Sequence, residues 1–148
     1  MYSTVIPVYR NEASIPDLLL ILDGISKTLN SALEVVFVVD GSPDESFQRP
    51  AAELPNVRFN SKLIALSRNF GSFSAIRVGL QEATGPYFAV TAADLQEPAD
   101  LIVAFFDELA KDQVPGRSRT ECVIWQIPHF RFQICQLRYC FGWARLGS

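Results

Sequence analysis

Residues Glu34 to Val39 read EVVFVV, a run that is apolar at every position after the first and holds four valines. So short and β-branched a run reads as a strand, and without polar alternation it has to be covered on both faces. Strands of that kind belong to parallel sheets with helices above and below. The neighbouring sequence supplies such partners. Thr4 to Val8 reads as a first strand, and Ser14 to Leu29 as a helix with Leu18, Leu19, Ile21, Leu22, Ile25 and Leu29 on its apolar face. Ser14 is the expected N-cap of that helix, with Asp17 completing a weak capping box. Val57 to Leu66 reads as a third strand, a helix is expected to open at Ser72 or Ser74, and Tyr87 to Thr91 reads as a fourth strand. Pro98 suits the first position of a last helix reaching about Lys111, with Leu101, Ile102, Phe105, Phe106 and Leu109 inward. The predicted fold is therefore α/β, a mostly parallel sheet with helices on both faces and right-handed crossovers.

Composition narrows the functional classes. The 148 residues suit one globular domain, and 49% hydrophobic with 20% charged content is too ordinary for a disordered chain. No apolar run approaches the roughly 18 residues of a membrane-spanning helix. Strand-like sequence starts by about Tyr2 with no basic-then-apolar segment before it, so no signal peptide is expected. A net charge of −3 speaks against general nucleic-acid binding. Three cysteines without metal-ligand spacing and a single histidine offer no zinc-type site.

In a parallel sheet, ligands gather beyond the carboxyl ends of the strands. Four polar segments fall there: Tyr9 to Glu12, Asp40 to Asp44, Ser67 to Gly71 and Asp94 to Glu97. Neither the dinucleotide G-x-G-x-x-G nor the P-loop pattern occurs. Tyr9 can lie against a planar base and Glu12 can accept from a base or ribose, although a strand cap with a solvated turn explains both as well. Asp40 can accept from a base or ribose, or can merely satisfy local backbone donors in an Asx-turn. Arg68 can meet a diphosphate, or the carboxylate of Asp40 or Asp94, or can belong to an ordinary surface turn. Asp94 and Gln96, two apart on extended backbone, can turn oxygens toward one hard cation; alternatively Asp94 and Glu97 only favour a helix N-terminus.

Taken together and in order, the strings Val5-Ile6-Pro7-Val8-Tyr9-Arg10-Asn11-Glu12, Val39-Asp40-Gly41-Ser42-Pro43-Asp44, Leu66-Ser67-Arg68-Asn69-Phe70-Gly71 and Ala93-Asp94-Leu95-Gln96-Glu97-Pro98 resemble the family 2 glycosyltransferases. The likeness is greatest to the branch that loads a sugar onto polyprenyl or dolichyl phosphate, and it covers about residues 2–112. The resemblance implies a Rossmann-like GT-A fold, of which this chain holds the nucleotide-sugar-binding half. It implies a nucleotide-diphosphate sugar as donor, a lipid-linked phosphate as acceptor and Mg²⁺ or Mn²⁺ as cofactor. Carried over by position, Pro7, Tyr9, Glu12 and Asp40 hold the nucleoside, while Asp94 and Gln96 hold the metal, with Asp94 the catalytic group. A cytoplasmic chain, peripheral on the cytoplasmic membrane face, is the matching expectation.

The sequence departs from that family in three places. Val39 stands where a second acid precedes Asp40, and Ala92 stands where the Asp-x-Asp motif has its first acid. The third departure is the end of the chain. Residues 1–114 hold eight basic and fifteen acidic residues, whereas residues 115–148 hold five arginines and only Glu121. All the Cys and Trp and the single His also fall in that last stretch. Residues 113–148 therefore read as an atypical tail, truncated or out of frame, and 1–112 as the nucleotide-sugar-binding region. The reading of another class is a catalytically inactive fragment that at most binds nucleotide. A receiver domain would need acid pairs and a distant lysine that are not found.

Overall fold

The computed structural model describes residues 1–30, 32–94, 99–111, 124–127 and 130–133. The chain runs β1 (Tyr2–Val8), α1 (Ile15–Thr28), β2 (Leu33–Val39), α2 (Gln48–Glu53), a 3-10 turn (Leu54–Asn56), β3 (Asn60–Ala65), α3 (Ser72–Glu82), β4 (Tyr87–Val90) and α4 (Ala99–Lys111), followed by the short antiparallel ribbon of β5 (Ile124–Ile127) and β6 (Phe130–Gln133). Strands β1 to β4 form a parallel sheet in the order β3-β2-β1-β4. The α/β architecture with helices on both faces is the one expected from EVVFVV.

Alternation along β1 and β2 explains why both faces of these central strands are dry. Ile6 and Val8 of β1 and Val35, Phe37 and Val39 of β2 face one way, into a core with Leu18, Leu22 and Ile25 of α1 and Ile102 and Phe106 of α4. The intervening Val5, Val36 and Val38 face the other way, against Ala75 of α3. That second layer is shallow. A Cβ on Gly79 of α3 would collide with the Val5 side chain, so the absence of one lets this helix lie close on β1. Helices α1 and α3 thus cover opposite faces, and the chain steps outward from β1 to β2 and β3 before returning to β4. The reversal makes the β1–β4 boundary a topological switch point.

Two local expectations are corrected, and one helix was not expected. Ser14 makes no side-chain cap to α1. Its Oγ lies 2.7 Å from the Ala93 carbonyl oxygen and 3.0 Å from that of Asn11, so its proton ties the start of α1 to the segment after β4. The third strand begins at Asn60, because the 3-10 turn takes up Leu54–Asn56 and pairing with β2 starts at Glu34 opposite Asn60. Helix α2 was not visible as a pattern. Six residues give no periodicity, and Pro50 fits because it lies in a first turn whose amides need no helical partner. Pro98 and the tail residues other than the ribbon lie outside the described residues.

At the amino-terminal end of the sheet, Glu34 is only 3% exposed yet well satisfied. Ser3 Oγ donates to it at 2.6 Å, the Thr84 amide at 2.8 Å and the Thr84 hydroxyl at 3.0 Å, with Lys62 Nζ at 3.3 Å. Burial pushes this carboxyl up, but the Ser3, Thr84 and Lys62 donors outweigh it and hold the group below the ordinary glutamate value. A depressed folded value gives stability that is present above the unfolded pKa and lost as pH falls through the folded one. Glu34→Gln is therefore expected to lose about 1–3 kcal/mol at neutral pH and to flatten the acid limb of the stability profile, read by urea denaturation from pH 7 downward. An unchanged acid limb would contradict this account.

Candidate functional site

Main-chain bonds continue past the strands and hold their carboxyl ends side by side. The Asp40 amide donates to the Val8 carbonyl at 2.9 Å, the Leu66 amide to Val39 at 2.8 Å and the Thr91 amide to Val5 at 3.2 Å. Above these ends lies a cleft of about 290 Å³, near the lower end of the ~300–1,000 Å³ typical of small-molecule sites. Strand β1 contributes Pro7 and the turn after it Tyr9, the position just after β2 contributes Asp40, the β3–α3 turn contributes Asn69 and Gly71, and the segment after β4 contributes Ala92 and Asp94. Four of the residues predicted from sequence, Pro7, Tyr9, Asp40 and Asp94, therefore share one cavity at the switch point.

Tyr9 is 40% exposed, with the Arg10 guanidinium 5.4 Å from its ring centre. Asp40 is 2% exposed, and its carboxylate does more than the sequence suggested. Oδ1 accepts the Phe70 amide and Oδ2 the Gly71 amide, both at 2.8 Å. The donors are not local, as an Asx-turn would have them, but lie some thirty residues on. Asp40 is thus the clasp that holds the β3–α3 turn as the wall of the cleft, and each oxygen retains acceptor capacity for a ligand. Gly41 completes the joint: its φ is +57°, and a Cβ there would collide with the Arg68–Asn69 backbone.

Glu12 and Arg68 stand apart from the lining. Glu12 Oε2 accepts the Glu45 amide at 2.8 Å, which turns the carboxylate toward the loop after β2. The Arg68 guanidinium packs 4.8 Å from the centre of the Phe70 ring. Gln96 lies outside the described residues. Asp94 is exposed in the cleft, while Ala92 brings no side-chain ligand atom to it. Among the described residues no group of three or more acidic, His or Cys side chains is placed to hold a metal. Among the described residues a cation here would meet the exposed Asp94 carboxylate, with the buried Asp40 already held by two amides, and one or two protein oxygens are a workable donor set where substrate phosphates and water complete the shell.

Ser42, Asp44 and Ser46, which carried no role in the sequence motifs, brace the site from outside. Ser42 Oγ accepts the Arg10 amide at 2.8 Å and donates to Asp44 Oδ1 at 2.5 Å. Ser46 Oγ accepts the Asn11 amide at 2.9 Å, and Asp44 Oδ2 accepts the Glu12 amide at 3.4 Å. Partial burial pushes the Asp44 carboxyl up, but the hydroxyls of Ser42 and Ser46 and the amides of Ser46 and Glu12 pull it below its ordinary value. The signal in the sequence was two serines alternating with an acid just after a strand, a pattern too common to single out.

The chain belongs to glycosyl transferase family 2, which it matches over residues 3–133. The match runs past residue 112, the limit drawn from the motifs. Over 126 residues the chain is 37% identical to the undecaprenyl-phosphate 4-deoxy-4-formamido-L-arabinose transferase of Pseudomonas aeruginosa, covering 82% of this chain and 36% of that protein. The chain thus spans about a third of the length of the curated relatives it matches. Among solved structures it resembles S. aureus TarS 1-349 in complex with UDP, with a TM-score of 0.59 and 26% identity, covering 84% of this chain and 39% of that one. The mannosyltransferase PcManGT from Pyrobaculum calidifontis, solved with GDP-Man and Mn²⁺, shares the fold with a TM-score of 0.63 and 23% identity, covering 84% of this chain and 35% of that one. The fold is that of the GT-A glycosyltransferases.

Proposed function

We propose that this chain is the nucleotide-sugar-binding part of a glycosyltransferase that passes a sugar from a nucleotide-diphosphate sugar to a polyprenyl phosphate. The observation that carries the reading is the convergence of Tyr9, Asp40 and Asp94 on one cleft at the switch point of the sheet. The activity named for the 37%-identical relative supports the lipid-phosphate acceptor. In this reading residues 1–112 form the nucleotide-sugar-binding region, and a peripheral position at the membrane suits the acceptor. Among the described residues no helix is long and apolar enough to cross a membrane.

The roles follow from the side chains. Tyr9 offers a flat apolar face to the base, and Pro7 shapes the floor beside it. Asp40 accepts hydrogen bonds from the base or ribose with the lone pairs left over by Phe70 and Gly71. Asp94, with Gln96 as the resemblance implies, would hold Mg²⁺ or Mn²⁺ when the metal is bound. Such a cation stabilises the negative charge that develops on the leaving diphosphate. As the bond between the anomeric carbon and the diphosphate breaks, an oxygen of the acceptor phosphate bonds to that carbon. That acceptor is already ionised near neutral pH, with a second pKa of about 6, so no strong general base has to stand in the cleft. Glu12 and Arg68, which lie outside the lining, would meet the ligand only by turning away from the Glu45 amide and the Phe70 ring.

Titration calorimetry with UDP, GDP and their sugars, with and without Mn²⁺, tests the reading. The expected result is binding of one nucleotide series that strengthens with Mn²⁺. No heat with any of them would remove it. A second reading, a nucleotide binder without transfer activity, is favoured by Ala92, which leaves one carboxylate where the family has two. It predicts binding with no turnover of any polyprenyl phosphate.

A further inference from the structure

The turn that carries Tyr9 is held mostly by residues from another loop. Arg10 has a φ of +55°, a left-handed conformation that a side chain with a Cβ keeps only when its surroundings impose it. The amides of Arg10, Asn11 and Glu12 point away from any regular ladder, and all three are taken by side chains from the loop after β2. The partners form one connected unit: Ser42 donates to Asp44, the Ser46 amide donates to the same oxygen at 3.2 Å, and Glu12 closes the ring by accepting from Glu45. None of Ser42, Asp44 and Ser46 lines the cleft.

We infer that Ser42, Asp44 and Ser46 are positioning residues for nucleotide recognition, which hold the Arg10–Glu12 amides and thereby set the direction in which Tyr9 meets the ligand. This rests on the proposed nucleotide-binding role of the cleft. An aromatic platform on a loop is only as well oriented as the backbone beneath it, and each lost hydrogen bond lets that backbone sample other conformations. The Asn11 side chain adds a local tie, its Oδ1 accepting the Tyr9 amide at 3.2 Å. The Ser3–Glu34 cluster at the far end of the sheet provides the contrast, since it is likewise a hydroxyl–carboxylate pair, more deeply buried than Ser42–Asp44, but has no residue in the cleft lining.

The test uses the full 148-residue chain, UDP and GDP with Mn²⁺ as probes, and amide exchange read by NMR. Ser42→Ala is expected to weaken binding of whichever nucleotide the parent takes about three- to tenfold, the effect of one lost hydrogen bond. It is expected to speed exchange at Arg10 to Glu12 as well. Ser42→Thr keeps the hydroxyl and should bind within about twofold of the parent. Ser3→Ala should lower the melting temperature and leave nucleotide affinity unchanged. The inference is overturned if Ser42→Ala binds like the parent, or if Ser3→Ala weakens binding as much. If the parent binds neither nucleotide, the reading of the cleft fails on its own account. Exchange at Arg10 to Glu12 then still decides the positioning claim, which unchanged rates in Ser42→Ala would sink.

Discussion

Gly41→Ala is expected to lose about 2–5 kcal/mol of stability and at least tenfold in nucleotide affinity. Two penalties combine. The left-handed φ of +57° costs an L-residue ~1–2 kcal/mol, and the added Cβ meets main chain rather than a movable side chain. Something must therefore shift, and what shifts is the Arg68–Asn69 segment. The next two amides along that segment are the ones clasped by Asp40, so the strain is delivered to the cleft wall itself. Gly71→Ala separates the two penalties. Gly71 also has positive φ, at +91°, but nothing lies within 4 Å of a Cβ there. It should show backbone strain alone, of about 1–3 kcal/mol. Urea denaturation and calorimetry on the two variants check the difference; equal losses in both would mean that the apposition of Gly41 on the β3–α3 turn is immaterial.

Asp94→Asn is expected to abolish the Mn²⁺ dependence of nucleotide-sugar binding, with a loss of roughly tenfold or more in the affinity measured with the metal present. An amide keeps the size of the side chain but removes the charge, and among the described residues lining the cleft the remaining carboxylate, Asp40, is engaged by two amides. The reciprocal change has the opposite sign. Ala92→Asp places a second carboxylate two residues away, on an exposed position lining the same cleft. It should tighten Mn²⁺ binding by about tenfold through an added anionic ligand. Manganese titrations followed by calorimetry at fixed nucleotide measure both. Metal dependence that survives in Asp94→Asn would remove this residue from the cation site.

Much of this fold was legible because long segments carry strong periodicity. The unbroken apolar run of β2 announced a doubly covered sheet, and Leu18, Leu22 and Ile25 announced the helix above it; the core holds these residues together. The rim was legible for a topological reason, since polar residues after parallel strands have nowhere else to gather. Tyr9, Asp40 and Asp94 followed from that rule and from their motif strings, and Pro7 from its motif string alone. Hydrogen-bond direction was not legible. Glu12 faces the loop after β2, Arg68 packs on Phe70, and the Ser14 hydroxyl reaches Ala93 rather than its own helix. Each choice is decided by a partner thirty or more residues away or by an aromatic neighbour, and no local pattern encodes it. For the same reason Ser42 and Ser46 looked like ordinary loop serines, although their acceptor oxygens hold up the Tyr9 turn.

The shallow layer beneath Gly79 has a consequence for how the strands find their pairing. In a sheet with one wet face, sliding a strand by a single residue is punished at once because greasy side chains emerge into water. Here both sides are oily, so that safeguard is weak for β1 and β2. Bulk discriminates instead. Phe37 packs on the deep side with α1 and α4, whereas on the other side Val5 and Val38 lie so near α3 that a Cβ on Gly79 would already collide with Val5. Misaligning β2 by one residue would turn the Phe37 ring toward α3, the side where Gly79 already lies close to Val5 and Val38. Ala75 and Gly79, the buried residues of α3, therefore favour the alignment that keeps valines beneath them and Phe37 on the far side.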